Sequence, residues 1–338
     1  MTRYALLVSP DGRLLSRIGL AFAIALACAL LFAPATGAAT LAPGDHAFTL
    51  NHGQLHRSYL VHVPPQAQAG QPLPAVVNFH GGGAHARVQK EYSRMDATAD
   101  REGFIAVYPN GSGGIGGRFL TWNAGTCCGL AVASGVDDVG FTLAVLDDLA
   151  RRVALDAERI YATGLSNGSM MAYRLAVEAP QRIAAVAGVA GSMTLPRFAP
   201  VLPVPVMHIH SLDDWRALYD GGLGPTFPFT NTRVFHEPVE AMLEKWIAHN
   251  RCPAQPQVGN PLRGEPEAAD ADHTATRFVY SPCRDGTEVV LWKLTGAGHV
   301  WPGGVQDYLP WLLGAGTTVI DANAEMWRFF SRYRRPQR

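Results

Sequence analysis

Neither sign of charge is in excess in this chain. Its 338 residues carry 28 Lys and Arg against 28 Asp and Glu, a formal net charge of zero. Neither sign gathers into a long run, so nucleic acid or an anionic membrane surface is not an expected partner. Internal repeats at solenoid or propeller spacing are missing. The five cysteines include no CxxC pair of the kind that holds zinc. The glycine run Gly111 to Gly117 has no following Lys-Ser/Thr and is not a P-loop. The apolar run Ile18 to Ala33 is short for a membrane span.

What is present reads as a globular chain with a sizeable core: 48% of residues are hydrophobic and 17% charged. Arg3, Arg13 and Arg17 precede the apolar run, and Pro34-Ala35-Thr36-Gly37-Ala38-Ala39 follows it. That order predicts a signal peptide over residues 1–39, cleaved near Ala38 or Ala39, and an exported domain over 40–338. Cys28 behind Leu26-Ala27 invites a lipoprotein reading, but Ala25 and the continuing apolar residues argue against it. Export places Cys127, Cys128, Cys252 and Cys283 in an oxidising compartment, where three connectivities are open. Adjacent cysteines are awkward to bridge. The expectation is therefore a Cys252–Cys283 bond, with Cys127 and Cys128 a strained vicinal pair or reduced.

His46 to Leu50 and Arg57 to Val63 read as strands around Asn51-His52-Gly53. Pro74 to Phe79 reads as a buried strand running into His80-Gly81-Gly82-Gly83, followed by a helix over Val88 to Arg101 and a strand over Phe104 to Tyr108. A long glycine-rich loop, Ser112 to Gly135, carries Trp122 and the cysteine pair. Asp137 and Asp138 are candidate N-caps for a helix with apolar residues at Val139, Leu143, Leu146, Leu149 and Val153. Ile160 to Thr163 is a strand, and Ser169 to Ala176 the helix behind it. Buried runs follow at Ala184 to Gly191 and Val204 to His210, then a helix around Val239 to His249. Pro253 to Asp272 reads as a polar surface excursion, Glu288 to Leu294 as the last strand and Ala322 to Tyr333 as the closing helix. Alternating strands and helices predict one α/β domain: a mostly parallel sheet with helices on both faces.

Gly164-Leu165-Ser166-Asn167-Gly168 sits between strand and helix, the pattern of a nucleophile elbow. A serine hydroxyl needs a neighbouring base, and that base an orienting carboxylate. Asp214 and His299 follow Ser166 in that order, each expected beyond a strand's carboxyl end; Asp213 and Asp220 compete for the acid position. Gly82 and the amide of Asn167 are the candidate oxyanion donors. His208 and His210 share one face of a strand, but no third ligand has supporting spacing, so a structural role near the acid loop is expected rather than a metal site. Trp122 and Trp301 are candidate substrate-stacking residues.

These residues, together with Phe79-His80-Gly81-Gly82, Trp122-Asn123, Cys127-Cys128-Gly129, Val136-Asp137-Asp138-Val139-Gly140-Phe141, Asn250-Arg251-Cys252 and Gly298-His299-Val300-Trp301-Pro302-Gly303-Gly304, carry a resemblance. Through most of the mature chain the sequence resembles the secreted polyhydroxybutyrate depolymerase and feruloyl/acetylxylan esterase branch of the α/β-hydrolases. The resemblance implies an α/β-hydrolase fold, Ser166 as nucleophile, Asp214 as acid and His299 as base. It also favours the Cys252–Cys283 bridge. At His210-Ser211-Leu212-Asp213-Asp214 the chain departs from the family pattern, which has Gly-Thr after the histidine and Pro after the aspartate.

The expected activity is that of an exported serine ester hydrolase, extracellular or periplasmic, without metal or organic cofactor and without a stable membrane span after cleavage. The extra polymer-binding domain of many depolymerases is not found, which points to soluble hydroxyalkanoate oligomers or small esters. Feruloyl or acetyl esters of plant polysaccharide are the alternative. A non-catalytic binding protein on the same scaffold is disfavoured by the apparent Ser-Asp-His set.

Overall fold

A computed structural model describes residues 41–68, 70–227 and 230–335. The expected signal peptide, Cys28 included, lies outside the described residues. Strands β1 (Gly44–His52) and β2 (Leu55–Val63) form an antiparallel hairpin that turns at Gly53, whose positive φ of 58° suits glycine. The core strands are β3 (Leu73–Phe79), β4 (Ile105–Pro109), β5 (Leu155–Leu165), β6 (Ala185–Val189) and β7 (Val206–Ser211), followed by β8 (Thr274–Tyr280) and β9 (Val289–Thr295). They lie in the order β1-β2-β4-β3-β5-β6-β7-β9-β8, extended at the β8 edge by two-residue strands. The six strands from β4 to β9 in this order are mutually parallel, while β1, β2 and β8 pair antiparallel at the flanks.

Parallel strands covered on both faces are apolar at successive positions, and β3, β4 and β6 are buried nearly throughout. Alternate residues feed two cores. Val77, Val107, Ala162, Val206 and Leu291 face one, beneath α3 (Asp138–Ala150), α4 (Asn167–Glu178) and α5 (Val239–Asn250). Val76, Ala106, Tyr161, Met207 and Val290 face the other, beneath α1 (Ala86–Ser93), α2 (Met95–Glu102) and α6 (Ala322–Phe330). Because the central strands are parallel, the segments after β5, β7 and β9 emerge along one edge of the sheet. Ser166, Asp214 and His299 follow those three strands.

Local departures from the sequence reading have identifiable causes. The helix expected over Val88 to Arg101 is two helices, broken at Arg94 in the left-handed region (φ 53°). The Ser93 carbonyl is taken by the Asn323 side chain of α6 at 2.7 Å, so the ladder does not run through. Asp137 alone caps α3, accepting from the Gly140 amide at 2.8 Å, whereas Asp138 is buried against Arg57 at 2.8 Å. Strand β8 has no counterpart in the sequence reading, although Thr274-Ala-Thr-Arg-Phe-Val-Tyr280 carries the β-branched and aromatic content of one.

Candidate active site

Ser166 links β5 to α4 with φ 57° and ψ −120°, a backbone region that residues with a Cβ rarely occupy. Its amide donates to the Val189 carbonyl at 2.9 Å, and its carbonyl accepts from the Met170 amide at 3.0 Å. Glycine is required on either side. A Cβ at Gly168 would collide with the Phe79 carbonyl oxygen, and one at Gly164 would lie 2.5 Å from the Gly168 carbonyl carbon. The helix thus starts pressed against the end of β3.

Asp214 is buried in the turn after β7. The Arg216 and Ala217 amides both donate to its Oδ1 at 2.8 Å, and His299 Nδ1 donates to its Oδ2 at 2.7 Å. Burial alone would raise the proton affinity of this carboxyl. The His299 charge and the contacts from His210 and His299 outweigh burial and hold it well below the ordinary carboxylate range. Asp213 points elsewhere: its Oδ2 accepts from the Gly296 amide at 2.6 Å, anchoring the start of the His299 loop. Asp220 is exposed. Of the three aspartates, Asp214 is the one against the His299 ring. No hydrogen bond joins Ser166 to His299 in this structure, and such contacts often tighten only with substrate in place.

The triglycine segment after β3 turns at Gly81–Ala84, closed by the Ala84 amide on the Gly81 carbonyl at 3.1 Å. The Gly83 amide is engaged by the Leu120 carbonyl at 2.8 Å, and the Gly82 amide has no backbone partner among the described residues. Asn167 begins α4, where an amide has no intrahelical acceptor. A Cβ on Gly82 would lie 3.5 Å from the Asn167 Cβ, so these two residues adjoin. The Asn167 side chain grips Trp122 twice, accepting from its amide at 2.7 Å and donating to its carbonyl at 3.1 Å. The Trp122 indole N–H donates to the His80 carbonyl at 2.9 Å. His80 is itself buried, donating from Nδ1 to the Gly81 carbonyl and accepting the Gly111 amide on Nε2. Burial lowers its pKa to about 4, so it is neutral.

With this geometry in place, comparison with known proteins settles the family. The description of the family "Esterase PHB depolymerase" matches residues 57–243, more than half of the chain. The chain belongs to that family. It is 32% identical over 275 residues to NocK of Nocardia uniformis subsp. tsuyamanensis, named as an esterase, covering 77% of this chain and 74% of that one. It is also 25% identical to a bifunctional acetylxylan esterase/xylanase of Neocallimastix patriciarum over 71% of this chain, and 24% identical to feruloyl esterase B of Piromyces equi over 72%. The chain spans only 30% and 42% of the length of those two proteins. An acetyl xylan esterase from Aspergillus awamori shares the fold, with a TM-score of 0.51 at 13% identity, covering 85% of this chain and 99% of that one. The architecture is that of the α/β-hydrolases, and the chain is a carboxylic ester hydrolase of its family.

Two expectations about this esterase need correcting. Trp122 and Trp301 cannot stack on a ligand as they stand, because they are 0% and 1% exposed. Trp122 is a pillar beneath the Gly81–Ala84 turn, edge-on to Phe79. Trp301 sits in the second core, its indole donating to Asn323 and its amide to the Tyr92 hydroxyl. Trp215, one residue beyond Asp214, does have free aromatic surface, being 44% exposed. Sequence reading also passed over His236, which is buried near His299 and Asp214 and kept neutral, with its pKa lowered to about 4 chiefly by burial.

His208 and His210 bond to each other at 3.0 Å, and no third metal ligand joins them among the described residues. Asp45, His62 and Asp96 do converge, but Lys90 already bridges the two carboxylates. Cys252 and Cys283 are bonded, their Cα atoms 4.1 Å apart, and Cys127 and Cys128 are paired with each other. No helix among the described residues is long and apolar enough to cross a membrane.

Proposed function

We propose that this esterase is an exported serine hydrolase that works through an acyl-enzyme. The observation that carries the reading is the 2.7 Å bond from His299 Nδ1 to Asp214 Oδ2, at the same sheet edge as the strained Ser166 turn. With Nδ1 donating to the carboxylate, Nε2 is left as the base. It takes the Ser166 proton as the hydroxyl attacks the ester carbonyl, then returns it to the leaving alcohol. Water repeats the cycle on the acyl-enzyme. The Gly82 and Asn167 amides are the donors for the developing oxyanion, where losing one such donor typically costs ~10²–10³-fold in rate.

Soluble hydroxyalkanoate oligomers or small esters are the substrates this reading favours. The exposed Trp215 and the relatives named for feruloyl and acetylxylan esters keep those plant-polysaccharide esters as the second reading. Rates on matched p-nitrophenyl, feruloyl and hydroxybutyrate esters separate the two. Export is supported by the pattern of residues 1–39 and by the Cys252–Cys283 bond. The central test is a fluorophosphonate probe: it is expected to label Ser166, and Ser166→Ala is expected to lose both labelling and hydrolysis while keeping the wild-type melting temperature. Labelling at another serine overturns the assignment.

A further inference from the structure

Beside Asp214, reaching the same carboxylate oxygen that His299 meets, lies a line of buried polar groups that the hydrolytic scheme leaves unused. Tyr173 of α4 places its hydroxyl 3.0 Å from His208 Nδ1. His208 Nε2 is 3.0 Å from His210 Nδ1. His210 Nε2 is 2.7 Å from the Ala217 carbonyl and 3.2 Å from Asp214 Oδ2. Both histidines project from β7 toward α4, and all three rings are buried in the core. Ala217 matters twice, because its amide donates to Asp214 Oδ1 while its carbonyl meets His210.

The acceptors decide where the protons lie. His210 Nε2 faces two oxygens that cannot donate, a carbonyl and an ionised carboxylate, so it carries a proton. A neutral His210 then accepts on Nδ1, which requires His208 to be protonated on Nε2. His208 in turn accepts on Nδ1, and the Tyr173 hydroxyl is the donor there. The reversed order would need a second proton on His210 and would turn the Tyr173 hydroxyl to the Met207 carbonyl, 3.4 Å away. It would also bury an extra cation beside the imidazolium that His299 must become.

We propose that Tyr173, His208 and His210 form a one-directional hydrogen-bond chain whose N–H end positions Asp214, closing the 214–217 turn and fixing which carboxylate oxygen serves His299. These are positioning residues that never touch substrate. The proposal rests on the reading of Asp214 and His299 given above. Among the described residues, the charges of His299, of Asp214 and Arg216 in the turn after β7, and of His210 on β7 all act on His236 of the short strand Phe235–His236, so these groups share one region. Removing the His210 N–H concentrates the Asp214 charge on His299 and stabilises its protonated form. The acid limb of kcat/KM should therefore move to higher pH.

The test combines ring 15N shifts of histidine-labelled protein near neutral pH with kinetics on p-nitrophenyl acetate. In the wild type, His208 and His210 are expected to be neutral and protonated on Nε2. A His210 protonated on Nδ1, or on both nitrogens, overturns the chain whatever the activity. His210→Phe keeps the ring volume and is expected to lower kcat on the order of 10²-fold, the scale of a misplaced catalytic group, with KM little changed and the acid limb moved upward. His210→Gln, which restores an N–H near the Nε2 position, is expected to recover part of the loss. A His210→Phe enzyme that is still labelled at Ser166 but has an unmoved acid limb overturns the chain and leaves the triad standing. A wild type that the fluorophosphonate does not label overturns both. Should His210→Phe fail to fold, Tyr173→Phe removes only the terminal hydroxyl. It is expected to leave His208 and His210 protonated on Nε2 while moving the His208 Nδ1 15N shift, because that nitrogen loses its donor; an unmoved Nδ1 shift, or a proton moved off His210 Nε2, overturns the proposal.

Discussion

At the residue scale, burial and hydrogen-bond partners decide what each ionisable side chain can do. Asp213 and Asp214 are chemically identical neighbours, yet one holds a backbone amide of the His299 loop and the other the His299 ring. Asp214→Asn is therefore expected to cost several orders of magnitude in kcat, as loss of an orienting carboxylate does. Asp213→Asn should cost far less, and a reversed ranking in steady-state kinetics would assign the acid to Asp213. His80 supplies a stability prediction. The unfolded chain protonates it below about 6.5, the folded chain only below about 4, because burial disfavours the charged ring. Its contribution is present above 6.5 and is lost as pH falls toward 4, at most ~3 kcal/mol. Urea midpoints measured between those pH values should fall for the wild type and fall less steeply for His80→Gln.

At the scale of elements, the site depends on how closely a helix can start against a strand end. Phe79 ends β3 and His80 follows it, Gly168 lies in the first turn of α4, and a methyl group at 168 has the Phe79 and His80 carbonyl oxygens in its way. Gly168→Ala is expected to cost 1–3 kcal/mol or more, the range for overpacking, and to lower kcat as well, because the displaced backbone carries the Gly82 amide. A thermal melt matched to esterase rates checks it; an unchanged melt would mean that the helix start can yield. The flanking glycines were legible in the sequence because a strand–Gly-x-Ser-x-Gly–helix pattern is a local statement about backbone room. The break at Arg94 was not legible. It depends on Asn323, which reaches Ser93 from the far end of the chain.

At the scale of the molecule, one sheet separates two cores, and the Cys252–Cys283 bond ties the end of α5 to the approach to β9. Between the two cysteines run the polar excursion and β8, and β9 leads directly to His299. The sequence separation of 31 corresponds to ~3–4 kcal/mol in the chain-entropy treatment of a cross-link. Cys252→Ala with Cys283→Ala should lower the melting temperature while fluorophosphonate labelling of Ser166 persists. Non-reducing peptide mapping checks the pairing, and a peptide joining Cys252 to Cys127 or Cys128 would refute it.

By itself the sequence determined the alternation of strands and helices, the turn around Ser166 and the run of glycines after β3. Each is written in neighbouring residues, through periodicity, apolar content or the absence of a Cβ. Tertiary structure alone decided which aspartate meets His299, that Trp122 and Trp301 are interior supports, that 274–280 completes the sheet, and that Tyr173 stands behind His208. These depend on residues brought together from distant parts of the chain. The burial of a ring and the partner of a carboxylate are properties of the packed molecule, and no local pattern encodes them.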